Sequence, residues 1–237
     1  HYSSAKPWIP PVLTGKIKSF LYKHGTLKKY KKGTVILEED QYLTDILIIK
    51  SGMLSNSITN RTLSKAVTMC GLRLPGHIAG CSTFILREPA PEKITALANT
   101  ELFRVSFDQM DNFLAKNPAL QKEFIQHCGR CLRSEIDAML AMATMPKEDR
   151  YLIFTASVFA ALEIPLDDPD EWHPMPFKLS REVLSQLLHV SIMTIDRLHT
   201  GFIKKGIMRR GQQGNELKAS ELIEGLKWIE TRYAMSK

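Results

Sequence analysis

The stretch KLSREVLSQLLHVSIMTIDRLHTGFIKKGIMRRGQQGNELKA, Lys178 to Ala219, decides the fold, because its caps, turn and apolar spacing fall in a definite order. Ser180 is placed to cap a helix whose Val183, Leu184, Leu187 and Leu188 share one face. His189-Val190-Ser191 supplies a tight turn, with Ser191 as the next cap. The following helix buries Ile195, Leu198 and Phe202, spaced by three and four, and Gly206 stops it. Two short β segments then flank a Gly-Gln-Gln-Gly-Asn turn at 211–215. Helix, tight turn, helix and hairpin in this order predict a winged helix-turn-helix, whose second helix enters a DNA groove.

On that second helix Ile192, Met193, Asp196, Arg197 and Thr200 face away from the core side or sit at its N-terminal end. Arg197 suits paired hydrogen bonds to a guanine edge, and Ser191 and Thr194 suit a phosphate or a base. Ser180 and Arg181 at the start of the first helix, and Arg209 and Arg210 on the hairpin, complete the expected DNA-binding set. Ile192 and Met193 are apolar where polar base-readers are expected. They fit thymine methyls or a groove wall, and equally a helical pair that binds protein.

Charge follows the same division. The formal net charge is +7, and residues 178–237 carry eleven Lys/Arg against six Asp/Glu, so this quarter alone supplies +5. Residues 1–32 add eight lysines and no acid. A basic C-terminal quarter favours a polyanionic partner through long-range attraction and counterion release.

Upstream, LTGKIKSFLYKH (13–24) reads as a short amphipathic helix. From Tyr30 to Phe107 the pattern is short β-prone runs, TVILEE, DILIIKSG, MLSNSIT, AVTMCGL, KITALAN and ELFRVS, broken by Gly, Pro and Asn. No long helical segment separates them, so an antiparallel β-roll or sandwich is expected rather than βαβ units.

Asp108 is placed to cap a short helix, and Asn117-Pro118 reads as a cap followed by proline at the first helical position. Helix period then continues to Pro146, about 28 residues or roughly 42 Å, longer than one small domain requires. Ile125, Leu132 and Met139 are spaced by seven, with Gly129, Ile136 and Ala143 four residues after each. This is a dimer seam of nearly three heptads. PKEDRYLIFTASVFAALE starts the next helix, and a polar, proline-rich loop, IPLDDPDEWHPMP (164–176), follows it. The expected division is therefore 1–116, a sensor domain; 117–145, a dimerisation helix; and 146–237, a DNA-binding domain.

The remaining residues exclude more than they assign. Cys70, Cys81, Cys128 and Cys131 are too few for a disulfide framework, and Cys128-x-x-Cys131 lies in a helical pattern with no second ligand pair. Asp167, Asp168, Asp170 and Glu171 read as solvated charges of a flexible loop. No Ser-His-Asp context, metal-ligand set or phosphate loop calls for an enzyme. No apolar run reaches the roughly 20 residues of a membrane span and no signal-peptide pattern is present, so a cytoplasmic location is expected.

Residues 117–237 resemble the CRP/FNR superfamily of bacterial transcription regulators, through the Asn-Pro opening of the dimer helix, Arg150 and the helix-turn-helix stretch. KKYKKGTVILEED, LIIKSGML, PGHIAG and NTELFRVS are similar to the strands and turns of its cyclic-nucleotide-binding β-roll. The resemblance implies an α+β chain: N-terminal antiparallel β-roll, long dimerisation helix and C-terminal winged helix-turn-helix. It also implies a homodimer on a palindromic double-stranded operator, with RNA polymerase as a further partner. The effector region it implies maps to Gly76, His77, Gly80, Cys81, Ser82 and Glu135.

The departures bear on the signal. Cys81 stands where cyclic-AMP-binding members carry the ribose-binding Glu, and the phosphate-binding Arg-Ser falls near Ala90 and Pro91. The paired Thr-Ser that meets the adenine falls on Glu135 and Ile136. Without its arginine a buried cyclic phosphate would cost several kcal/mol, so cyclic AMP is not expected; Arg87 and Lys93 are candidate substitutes with a default surface role. Residues 1–69 contain no Cys, which argues against the iron–sulfur cluster of the oxygen-sensing branch. His77, a candidate haem ligand, is expected to be a solvated loop residue. The family's common Arg-Glu reading pair falls on Ile192 and Met193, whereas Thr194 and Arg197 are retained.

Overall fold

Residues 10–133 form one compact unit, with 1–9 and 134–237 assigned to a second, and the computed structural model describes residues 6–60, 67–212 and 214–234. The first unit contains α1 (Gly15–His24), β1 (Thr26–Tyr30), β2 (Val35–Leu37), β3 (Asp45–Ser51), β4 (Leu54–Asn60) and β5 (Val67–Arg73). It continues through β6 (Ile78–Ala79), α2 (Cys81–Leu86), β7 (Lys93–Ala96), β8 (Thr100–Ser106), α3 (Phe107–Ala115) and the beginning of α4 (Pro118–Thr144). The second holds the rest of α4, then α5 (Lys147–Ala161), β9 (Trp172–Pro174), α6 (Arg181–Leu188), α7 (Ile192–Lys204), β10 (Met208–Gly211), β11 (Gly214–Lys218) and α8 (Ala219–Ala234). This is the expected α+β class.

The β-roll consists of two antiparallel sheets, ordered β1-β8-β3-β6 and β2-β7-β4-β5. Ile46, Leu47, Ile48 and Ile49 are all fully buried. β3 is therefore apolar on both faces, with α1 and α3 packing across its sheet. Leu37, Leu54, Ile94, Ala96, Leu102 and Val105 bring both sheets into one core cluster with Ile17, Leu21, Met110 and Phe124. Gly52 turns β3 into β4 at φ +91°, and a Cβ there would stand 2.5 Å from the Asn99 carbonyl. Only glycine fits that turn.

Helix ends follow local chemistry, with one correction. Ser106, not Asp108, caps α3, in a capping box with Gln109. Asp108 sits in the first turn, where its charge meets the positive helix end. Asn117 precedes Pro118 as expected, its carbonyl accepting the Gln121 amide at 3.1 Å while its side-chain amide donates to the Phe113 carbonyl at 2.7 Å and closes α3. The strands β1 and β6 and the short helix α2 were not separated out in the sequence, being too short to show a period.

In the second unit α5, α6 and α7 surround a core containing Phe154, Phe159, Leu187, Ile195, Leu198 and Phe202. α8, which the sequence reading left unassigned, packs on α5, where a Cβ on Gly225 would approach that of Ala156 to 2.8 Å. The 164–176 loop is not wholly irregular: β9 pairs with β11, so the wing is a three-stranded sheet, β10-β11-β9. Lys218 holds Asp170 at 2.7 Å, and Glu171 accepts the Ala219 amide through its carbonyl. Gln213, at the tip of the expected hairpin turn, lies outside the described residues.

The N-terminal segment belongs to this second unit for a physical reason. The Trp8 indole N–H donates to the Leu187 carbonyl at 2.7 Å, and its ring stands edge-on to Phe154. The Ser134 hydroxyl donates to the Lys6 carbonyl. The compact boundaries thus fall at 9/10 and 133/134.

Candidate nucleic-acid interface

The Ser180 hydroxyl accepts the Val183 amide, and α6 ends at His189 in the left-handed region, φ +52°. Ser191 then accepts the Thr194 amide at 3.1 Å and shares a 2.8 Å hydrogen bond with the Thr194 hydroxyl. Both expected caps are present. The turn between them is held from below by Arg150, whose Nη1 donates to the carbonyls of Leu188 (2.9 Å) and His189 (3.4 Å). Its Nε donates to the Met145 carbonyl at 3.0 Å, so one guanidinium joins the end of α4 to the turn before α7. The sequence flagged Arg150 only as a family feature; its role depends on residues 38 and 39 positions away. Arg150→Met should lower the stability of this unit by about 1.5–3 kcal/mol, measured by denaturant unfolding, with an unchanged midpoint counting against the clamp.

α7 divides cleanly. Ile195, Leu198 and Phe202 are buried, whereas Ile192 is 39% and Met193 65% exposed. Asp196, Arg197 and Thr200 are exposed as well. Arg181 pairs with both carboxylate oxygens of Asp196 at 3.0 Å, which tethers α6 to α7 and neutralises the acid on the reading face. Arg197 has no ion pair among the described residues. The tethered Arg181 therefore serves geometry first, and Arg197 is the charge left to face a partner.

His199 ties the helix to the wing and to α5. Its Nδ1 lies 3.2 Å from the Asn215 amide nitrogen and its Nε2 3.0 Å from the Tyr151 hydroxyl. Asn215 then donates to Nδ1, leaving the proton on Nε2 for Tyr151. Burial lowers the His199 pKa, with Arg181 adding to and Asp196 opposing the shift, which favours that neutral form. On the wing the two arginines differ. Both are exposed, but Arg209 binds Glu216 at 2.6 Å and lies over the Trp172 ring.

The expected effector residues scatter by environment. Gly76 turns at φ +83°, and a Cβ there would meet Val12 at 2.7 Å. His77 is 1% exposed, not solvated, and its Nδ1 accepts the Leu74 amide at 2.9 Å. Burial, with Arg73 and His127 nearby, pushes its pKa down to about 3. Gly80, at φ +89°, opens α2, so Cys81 and Ser82 form the first turn of that helix, and both are half-buried. Glu135 lies on α4 in the other unit. Neither candidate substitute for the missing arginine is idle: Arg87 pairs with Asp111 at 2.5 Å and covers the rings of Phe84 and Phe107, and Lys93 pairs with Glu38 at 3.2 Å. Sequence reading also missed Asn56. It is buried, shares the core-facing side of β4 with Leu54, and leaves its Oδ1 and Nδ2 without a hydrogen-bond partner among the described residues.

The seam residues of α4 all stand open. Ile125 is 58%, Leu132 57%, Ile136 45% and Met139 46% exposed, and Gly129 and Ala143 are exposed between them. The helix runs unbroken through Gly129.

Comparison with known proteins agrees with this architecture. Residues 27–117 match the cyclic nucleotide-binding domain. The chain is 21% identical over 194 residues to the transcriptional activator protein anr of Pseudomonas aeruginosa, covering 82% of this chain and 76% of that protein. It is 22% identical over 188 residues to the transcriptional regulatory protein btr of Bordetella pertussis, covering 78% and 74%. These relatives are transcription regulators, not enzymes. Among solved structures, FixK2 of Bradyrhizobium japonicum superposes with a TM-score of 0.70 at 16% identity, over 84% of this chain and 96% of that one. A CRP/FNR family regulator of Thermus thermophilus gives 0.62 at 18% identity, over 85% and 98%, so the fold is shared. No helix among the described residues is long and apolar enough to cross a membrane.

Proposed function

We propose, for a chain that belongs to the CRP/FNR family of transcriptional regulators and carries its cyclic nucleotide-binding domain, a homodimer that binds a palindromic duplex DNA operator. The observation that carries the reading is the exposed face of α7, capped by Ser191, braced by Arg150 and presenting Arg197 without an intramolecular partner among the described residues. In the proposed complex Arg197 reads a guanine edge, Ser191 and Thr194 meet phosphate or base, and Ile192 and Met193 lie on thymine methyls. Ser180, Arg181 and Arg210 meet the backbone; Arg209, held by Glu216 and Trp172, contributes through the shape of the wing.

The exposed α4 face is the dimer seam, and dimerisation sets two reading helices about one DNA turn apart. The functional division into sensor (1–116), dimer helix (117–145) and DNA-binding domain (146–237) is kept, with work in the cytoplasm and RNA polymerase as a further partner. The signal enters at the β-roll and shifts the population of states through the hinge at Thr144–Pro146. Buried, unpartnered Asn56 supports a polar effector there. With Cys81 and Ala90 at the family's ligand positions, cyclic AMP is not assigned; with no Cys before Cys70, neither is an iron–sulfur cluster.

Selection of bound duplexes from a random pool tests the reading, with enrichment of a palindrome expected. On that site Arg197→Ala should lower specific affinity by about 1–3 kcal/mol while nonspecific binding survives. An unchanged footprint would remove Arg197 from the interface. The exposure of Ile192 and Met193 favours one second reading, a constitutive or redox-responsive member acting partly through protein contacts. A pool that yields no preferred sequence would favour it.

A further inference from the structure

The first turn of α2 and the middle of α4 bring together two residues that are 47 positions apart in sequence, Cys81 and Cys128. Each thiol acts on the ionisation of the other, Cys128 raising Cys81 and Cys81 lowering Cys128. The contact is fixed by a second pair on the same two helices. Phe84, one turn after Cys81, stands edge-on to Phe124, one turn before Cys128, with ring centroids 5.5 Å apart at 87°. Gly80 sets the start of α2, since a Cβ there would stand 2.5 Å from Leu43. All four cysteines are free, and Cys81 and Cys128 are half-buried whereas Cys70 and Cys131 are buried.

The other two thiols are differently engaged. Cys131 lies 3.5 Å from His127 Nε2 on its own helix. Burial pushes the Cys70 thiol up to about 12, which makes it unreactive. Among the described residues these groups do not assemble into a set of three or more that would hold a metal ion.

We propose that Cys81 and Cys128 are a reversible disulfide site, closed by a peroxide. Cys128 is the attacking sulfur: the neighbouring Cys81 first, opposed by burial and helped by Arg130, lowers its pKa, so its thiolate is favoured while that of Cys81 is not. The Cys128 thiolate attacks one peroxide oxygen, the O–O bond breaks, and protonation of the departing oxygen leaves water and a sulfenic acid on Cys128. Cys81 sulfur then attacks the Cys128 sulfur, and the sulfenic hydroxyl leaves as a second water, taking the Cys81 proton. Two thiols and one hydrogen peroxide thus become one disulfide and two waters. A dithiol reductant reverses the bond by exchange. The bond pins α2 to α4 within one compact unit.

The test reads thiols on the full chain and so stands apart from DNA binding. One equivalent of hydrogen peroxide should reduce the titratable thiols from four to two, and non-reducing peptide mapping should find Cys81 joined to Cys128. Dithiothreitol should restore all four. Cys81→Ser should stop at a sulfenic acid on Cys128 that dimedone traps, and Cys128→Ser should leave Cys81 unmodified. A bond through Cys131 or Cys70, a bond between two chains, or four surviving thiols in the unmutated protein would overturn the proposal without reference to any variant's folding.

Discussion

Replacing Leu132 with aspartate should leave the chain monomeric and weaken its binding to a palindromic operator by about 10²–10⁴-fold. Leu132 is 57% exposed at the centre of an α4 face that continues through Ile125, Ile136 and Met139. Exposed apolar residues repeating every three and four positions along one helix are what a second copy of that helix covers. In a twofold seam the substitution enters twice, and each carboxylate is then buried without a partner. Loss of the dimer converts one bivalent contact with DNA into two independent half-site contacts. This loss corresponds to about 3–5.5 kcal/mol. Glu123→Gln, exposed on the same helix but off the seam, is the control. Sedimentation and a shift assay on the selected operator read the two consequences. A Leu132→Asp chain that still sediments as a dimer would place the interface elsewhere.

The helix-turn-helix was legible because every signal it needs is local. Ser180 and Ser191 cap helices within three residues of themselves, and Ile195, Leu198 and Phe202 declare a face by spacing alone. The β-roll was legible by composition, since strands such as DILIIKS are apolar enough to survive burial on both faces. What escaped depends on distant partners. β9 lies in a proline-rich, acidic segment whose strand character comes only from pairing with β11. Trp8 finds its acceptor 179 residues away, so nothing near it signals that the N-terminus joins the second unit. His77 looked like a solvated loop residue because Pro75 and Gly76 mark a turn, but the turn folds inward and buries it. Arg209 and Arg210 look alike in sequence; Glu216 and Trp172 distinguish them in space. The candidate site was thus legible in its type and in its reading helix, while the bracing of that helix by Arg150 and His199 was not.

Acidification from pH 7.5 to 5 should remove about 4 kcal/mol from the stability of the β-roll unit through two histidines. Burial first, then Arg73 and His127, lowers His77 to about 3. Burial first, then Arg130 and Arg73, lowers His127 to about 4. Both are almost completely buried, and His77 accepts the Leu74 amide on Nδ1, a bond that its cation cannot keep. The unfolded chain binds protons near the ordinary histidine value of about 6.5, so between pH 6.5 and about 4 it holds more protons than the folded one. Stability therefore rises with pH in this window at about 1.4 kcal/mol per unit for each group, is complete above 6.5, and is lost as the pH falls. His199 in the second unit shifts in the same direction and adds to the trend there. Carboxylates also titrate as the pH falls, so the variant matters more than the raw slope. His77→Gln keeps a side-chain acceptor but cannot take up the proton, and it should flatten the unfolding slope of its unit between pH 6.5 and 5 by about half. If urea midpoints of His77→Gln and the unmutated chain fall in parallel across that window, the buried imidazole is not the acid-sensitive group.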